Sequence, residues 1–180
     1  MKYVALLRGI NVGGNNLIKM ADLKMCIEAA GFENVSTYIM SGNVLFSSDE
    51  TDEIALAKKI ERTIEKNFKL PVRIVVISHA QMKRIIAKMP KDWGMKPGWK
   101  YNTLFIFPPY DANTVLTEIG ALKPGIETAF PTDGAVLQAV EFKSFGRSAF
   151  SKVVGKPIYK HVTIRNLNTT RKLLELLNDV

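Results

Sequence analysis

One cysteine and two histidines in 180 residues leave no material for a disulfide framework and little for a metal centre. Cys26 has no partner within the chain. It shares a helical pattern with Leu23, Ile27 and Ala30 and reads as a small buried apolar residue, not a nucleophile. His79 and His161 have no cysteine or carboxylate close by at ligand spacing, so no metal ligand is assigned. Long apolar runs are missing as well. Tyr3 to Leu7 is bounded by Lys2 and Arg8, too short for a signal peptide or a membrane span, so the expectation is a cytoplasmic protein with no membrane partner. Catalytic signatures are equally scarce. Ser41-Gly42-Asn43 lacks the G-x-S-x-G context of a nucleophile elbow, and no nucleophile and base stand together. No catalytic residue and no cofactor is assigned, and whether the chain is an enzyme stays open.

What is abundant is positive charge. Lysine and arginine number 25 against 17 acidic residues, a formal net charge of +8, with a pI near 9.6. Residues 143–180 carry 8 basic and 2 acidic side chains, so most of the excess lies in the last fifth of the chain. Such a balance points to an anionic partner, a nucleic acid or a phosphorylated small molecule, although a plain solvated surface accounts for scattered lysines equally well. The length suffices to bury roughly 70% of the unfolded surface, so a hydrophobic core needs no covalent staple.

The order of elements follows from periodicity and turn chemistry. Tyr3–Leu7 is a strand, Gly9–Asn16 a glycine- and asparagine-rich loop, and Met20–Ala30 a helix that Gly31 ends. Val35–Met40 and Val44–Phe46 flank a Ser41-Gly42-Asn43 turn. Acidic residues from Asp49 to Glu53 open a helix through Ile64, and Val72–Ile77 is the next strand. Residues 1–78 therefore read as a β-α-β-β-α-β, ferredoxin-like subdomain. Residues 79–100 read as a linking helix, capped by Ser78, and a loop. Residues 101–180 read as a second α+β subdomain packed on the first in one compact unit, a partial duplication with its last strand lost or displaced. The strands at 3–7, 72–77 and 103–107 are apolar at nearly every position, so both their faces are expected to be covered, by the other half or by a partner.

Two segments stand out as candidate binding elements. Arg8 to Asn16 follows a strand and precedes a helix, where glycines can turn N–H groups toward an anion, yet it is neither G-x-G-x-x-G nor a nucleoside-triphosphate loop, and a wide turn explains its glycines equally well. Near the end, Arg147, Lys152, Lys156, Lys160 and the run Thr163 to Lys172 form the densest polar cluster. Asn166 or Asn168 would suit a helix cap, whereas capping does not call for Arg165. Trp93, Trp99 and Tyr101 could stack on bases, but beside Pro90, Pro97 and Gly98 they more often pin a loop to the core.

The pieces Arg8 to Gly14, Met20 with Leu23, Gly31-Phe32, Thr37-Tyr38 with Ser41 to Val44, and Thr163 to Leu173 together resemble the bacterial family called domain of unknown function 1697 (DUF1697). The resemblance spans nearly the whole chain. It implies an α+β fold with a ferredoxin-like first part and a related second part, and no activity, substrate or cofactor. The recurring motif positions match at Arg8, Asn11, Gly13, Gly14, Ser41, Gly42, Asn43, Arg165, Asn166 and Thr169.

Three functions compete on these grounds. The leading one is binding of a small anionic or phosphorylated ligand by Arg8, Asn11, Gly13, Gly14, Ser41, Asn43, Lys152, Arg165, Asn166 and Thr169, with the Arg8–Gly14 loop and the Arg165 segment meeting in space. A nucleic-acid (RNA) binding module is the second, weakened by the absence of the aromatic signature that RNA-binding sheets carry on their middle strands. The third is a protein-interaction or regulatory module, including a homo-oligomer.

Overall fold

The computed structural model describes residues 1–179. Along the chain lie β1 (Lys2–Leu7), α1 (Met20–Ala29), β2 (Glu33–Tyr38), β3 (Asn43–Ser47), α2 (Glu53–Phe68), β4 (Ile74–Ser78), α3 (His79–Ala87), β5 (Trp99–Ile106), α4 (Ala112–Ile119), β6 (Glu127–Thr132), β7 (Ala135–Glu141), α5 (Ala149–Val153), β8 (Val162–Asn166) and α6 (Leu167–Asp179). Short 3-10 turns occupy Phe142–Arg147 and Pro157–His161. The chain forms two compact units, one of residues 1–82 with 172–180, the other of residues 83–171.

In the first unit the strands run in the order β2-β3-β1-β4, every neighbouring pair antiparallel, which is the ferredoxin-like arrangement. Alternation along each strand sends Tyr3, Ala5, Leu7, Val44, Phe46, Ile74 and Val76 to the face covered by α1 and α2, where they meet Leu23, Ile27, Leu56, Ile60 and Ile64. The acidic run before α2 does what its composition predicts. Asp52 accepts from the Ile54 and Ala55 amides at 2.8 and 3.1 Å, satisfying two of the helix's orphan donors. Glu53 and Glu61 then bond the edge strand β4 through Ser78 N (3.2 Å) and Ile74 N (2.8 Å). The opposite faces of β1, β3 and β4, carried by Val4, Leu6, Leu45, Val75 and Ile77, are buried as well, as continuous apolar strands require. The C-terminal part of α6 is tied into this unit by Asn178, whose carbonyl accepts from Lys2 Nζ and whose side-chain oxygen lies 2.9 Å from His79 Nε2.

The second unit repeats the strand order as β6-β7-β5-β8, again antiparallel throughout. The expectation that its last strand is lost or displaced does not hold, since the strand order places it where β4 stands in the first unit. Val162–Asn166 is β8, paired with β5 from Ile106↔Val162 to Asn102↔Asn166. Its pattern is inverted relative to a typical half-buried strand: Ile164 is 40% exposed while Thr163 and Arg165 point inward at 3% and 6%. What the second unit lacks is a long counterpart of α2. In its place are α5, five residues long, and the two 3-10 turns, which with α4 close a core of Leu104, Ile106, Val115, Ile119, Val136, Phe150, Val153 and Val162. Short helices leave many backbone groups to satisfy, and a buried carboxylate meets the need. Glu127 accepts from Lys123 N and Ala149 N, both at 2.8 Å, while Phe150 N lies at 3.4 Å, and Ser148 Oγ caps α5 through Ser151 N.

Candidate functional site

The candidate residues of the first unit are gathered at one end of its sheet. Asn11, in the left-handed region at φ 53°, is the hub. Its Nδ2 donates to the carbonyls of Ile18 and Met40, both at 2.9 Å, and its Oδ1 accepts from Ile18 N at 2.8 Å. One asparagine thereby closes the Arg8–Ile18 loop on itself and fastens it to the β2–β3 turn. Asn16 reinforces the closure by donating to the Gly9 carbonyl at 2.9 Å. Gly13 and Gly14 form the tip of a tight turn between Val12 and Asn15, with φ of +58° and +79°, a conformation that glycine adopts without the cost of a Cβ. The loop is thus a hairpin standing ahead of α1, not a cradle opening onto its N-terminus; Leu17, Ile18 and Lys19 intervene between Asn16 and the helix. Arg8 is half-buried, with its amide bonded to the Arg73 carbonyl.

The Ser41-Gly42-Asn43 turn meets the same loop. A Cβ on Gly42 would lie 2.8 Å from Leu7 Cβ and Ile10 Cδ1, and its carbonyl accepts from Leu7 N at 2.8 Å. Asn43 is fully buried and donates to the Tyr38 carbonyl at 2.9 Å and to Ser41 Oγ at 3.3 Å. Exposed apolar residues rim this end: Val12, Leu17, Ile39 and Met40, Ile39 being a β-branched residue at φ 51°.

The remaining candidates belong to the second unit. Arg165 is buried in β8, where Nη1 donates to Thr163 Oγ1 at 3.0 Å and the Ile164 carbonyl at 2.9 Å. Burial lowers its pKa to about 10, so the guanidinium is still charged at neutral pH. Asn166 caps α6 by accepting from Thr169 N at 2.8 Å, the role its position suggests, and Thr169 is buried in the first turn of that helix. Lys152 is exposed on α5. Lys156, from the same polar cluster, reaches the C-terminal end of α4 and donates to the Glu118 and Ile119 carbonyls. Trp93 pins its loop to the core as its neighbours suggest, packing edge to face on Tyr101 and Phe130 at centroid distances of 5.0 and 5.6 Å. Cys26 is half-buried in the first unit, its thiol pKa raised by burial, which is the reverse of activation. Among the described residues no group of three or more histidine, cysteine or carboxylate side chains could hold a metal ion, and no helix is long and apolar enough to cross a membrane.

Set against known proteins, residues 1–136 match the model of the family described as "Protein of unknown function (DUF1697)". The chain belongs to the DUF1697 family. A solved structure described as that of a conserved bacterial protein from Streptococcus pneumoniae is 27% identical, covers 98% of both chains and superposes with a TM-score of 0.86. No curated protein matches the chain. This DUF1697 protein therefore shares its fold with the pneumococcal protein over 98% of its length, while its function has to be read from the surface.

Two features of that surface were not apparent in the sequence. The first is how the charge divides. Residues 83–171 hold 14 basic and 6 acidic side chains, while the other unit holds 11 of each, so the entire excess of +8 sits on the second unit. A cut by position along the chain blurred this division, because Lys172, Glu175 and Asp179 of α6 belong to the first unit. The second is a pair of aromatic rings under lysines at the start of β5. Lys96 Nζ lies 3.9 Å from the centroid of Trp99, and Lys100 Nζ lies 4.0 Å from that of Phe142. Phe142 follows β7 and escapes notice in the sequence because nothing local marks it as exposed.

Proposed function

We propose that this protein binds an anionic ligand through its second unit. The observation that carries the reading is the charge division just described, a net +8 on residues 83–171 beside a neutral first unit. Lys83, Lys88, Lys91, Lys96, Lys100, Lys123, Lys143, Arg147, Lys152 and Lys160 are exposed there, and the field of so many like charges raises the local concentration of an anion and its rate of arrival. Of the residues singled out in the sequence, Lys152 and Arg165 fit this reading as cations of the charged unit. Asn11, Gly13, Gly14, Asn43, Asn166 and Thr169 make bonds and turns that hold their own units together, which accounts for their place in the chain without a ligand.

The test is isothermal titration with long-chain inorganic polyphosphate at about 50 and about 200 mM salt, where phosphate-driven binding should weaken steeply. Replacing Lys143 and Lys152 together by glutamine should weaken binding and flatten the salt dependence. Replacing Lys58 and Lys66, exposed on α2 of the neutral unit, should change neither. Absence of binding at the lower salt, or equal loss from both pairs of substitutions, would refute the reading.

A further inference from the structure

The second unit offers more than charge at the end of its sheet where β5 begins and β7 stops. Trp99 stands opposite Glu141, and the amide of Phe142 bonds the Gly98 carbonyl at 2.8 Å one rung further on, so the two rings leave opposite faces of the ladder, Phe142 on the side of Lys100. Phe142 is 58% exposed and Phe145, in the turn that follows, 42%. Water is a poor neighbour for a phenyl ring, so two such rings on one short turn invite a flat, polarisable partner. Each of the first two rings already has a cation over it. Lys96 covers Trp99 on one face, Lys100 covers Phe142 on the other, and Lys143, next in sequence to Phe142, is exposed. The only carboxylate on these rungs, Glu141, is engaged by the Ser144 hydroxyl, which in turn accepts from Arg147 Nη2 at 2.9 Å.

Ring faces with ammonium groups about 4 Å above them match a polymer in which planar bases alternate with phosphates: the base takes the ring and the displaced lysine takes the phosphate. Small phosphates would use the lysines and leave the rings idle, and a duplex keeps its bases stacked inside. We therefore propose that this end of the second unit, formed by Lys100, Phe142, Lys143 and Phe145, binds single-stranded nucleic acid. The inference rests on the anion-binding reading above and names its partner. It also differs from the way open ferredoxin-like sheets bind RNA, through aromatics on the middle strands. Here β5 and β7 are buried on both faces, Leu104, Phe105, Val136 and Leu137 all at 2% exposure or less, so only the strand ends are open.

The experiment is fluorescence anisotropy of the full chain with a labelled oligouridine of about 12 nucleotides, long enough for one binding site, alongside titration with inorganic polyphosphate. Phe142→Ala removes a solvent-exposed ring and should weaken oligouridine binding about 5-fold to 100-fold while leaving polyphosphate binding unchanged; Phe142→Trp should restore it. Lys100→Gln should weaken both ligands, and a duplex of equal length should bind more weakly than the single strand. Polyphosphate binding together with oligouridine binding that is indifferent to Phe142→Ala would overturn this inference and leave the anion-binding reading standing. No binding of either ligand at low salt would overturn both.

Discussion

Replacing Asn11 by alanine should loosen the whole Arg8–Ile18 loop, and the size of the effect can be worked from its bonds. The substitution deletes two donor bonds, to the Ile18 and Met40 carbonyls, and one acceptor bond from Ile18 N. A typical intramolecular hydrogen bond contributes about 1 kcal/mol net, and water can reach this half-buried site, so the three together are worth about 2 kcal/mol. Alanine must also hold φ near 53°, where asparagine is better tolerated, at a cost of about 1 kcal/mol. The expected loss is about 3 kcal/mol, measured as a shift of the urea midpoint followed by far-ultraviolet circular dichroism. Asn11→Gly separates the two contributions: it forfeits the bonds but relieves the backbone, and should lie about 1 kcal/mol above the alanine variant. Hydrogen exchange localises the effect, since the Ile18 amide loses its acceptor in both variants. If Asn11→Ala unfolds within about 0.5 kcal/mol of the parent with the Ile18 amide still protected, Asn11 is not the hub of this loop, and a role toward a ligand becomes the better explanation of its place in the motif.

Further outcomes follow from the same reasoning. Glu127→Gln turns two charge-assisted bonds at Oε1 into neutral ones and should cost about 2 kcal/mol, seen by tryptophan fluorescence because Trp93 and Trp99 both lie in the second unit; a change under about 0.5 kcal/mol would contradict the capping role. Gly42→Ala forces a methyl group against Leu7 and Ile10 at a φ of +80° and should lower thermal stability by about 2 to 3 kcal/mol, whereas Gly14→Ala, open on every side, should pay only for its positive φ, about 1 kcal/mol. Cys26 should react with a disulfide reagent more slowly than a free thiol at pH 8. Because burial raises its pKa above the ordinary value of 9.0, the unfolded chain loses the thiol proton first, so this group's contribution to stability falls as pH rises past about 9; labelling as fast as a free thiol would show that the site is not shielded.

The first unit was legible because each of its local signals agrees with the fold. Asp52 precedes an amphipathic run and caps it, Gly31 follows α1 at φ +84°, and the apolar strands 3–7 and 74–77 are buried on both faces. The second unit hid its last strand because Val162 to Asn166 reverses the rule that reading relies on. Ile164 faces outward while Thr163 and Arg165 face inward, so a segment rich in threonine, arginine and asparagine passes for a polar approach to a helix. Glu127 was missed for a related reason: among carboxylates in a basic chain nothing in the sequence marks the one that three backbone amides surround. Phe142 and Lys100 are far apart in sequence and meet only through the β5–β7 register.

Membership of the DUF1697 family and the location of function are separate questions in this protein, and the bonds show why. The stretch from Arg8 to Gly14 and the Ser41-Gly42-Asn43 turn, which make the family recognisable, interlock: Asn11 holds the Met40 carbonyl, Gly42 leaves room for Leu7 and Ile10, and Asn43 fastens the turn to the end of β2. A segment that must satisfy three such constraints admits few residue types at each position, whether or not a ligand ever touches it. Packing and backbone bonding alone are therefore sufficient reason for these residues in this chain. Charge at exposed positions is under no such constraint, because an exposed lysine can be exchanged for glutamate at little cost to the fold. A net +8 confined to one of two units that share a strand order is not demanded by packing, and it is there, beside the exposed rings of Phe142 and Phe145, that binding should first be sought.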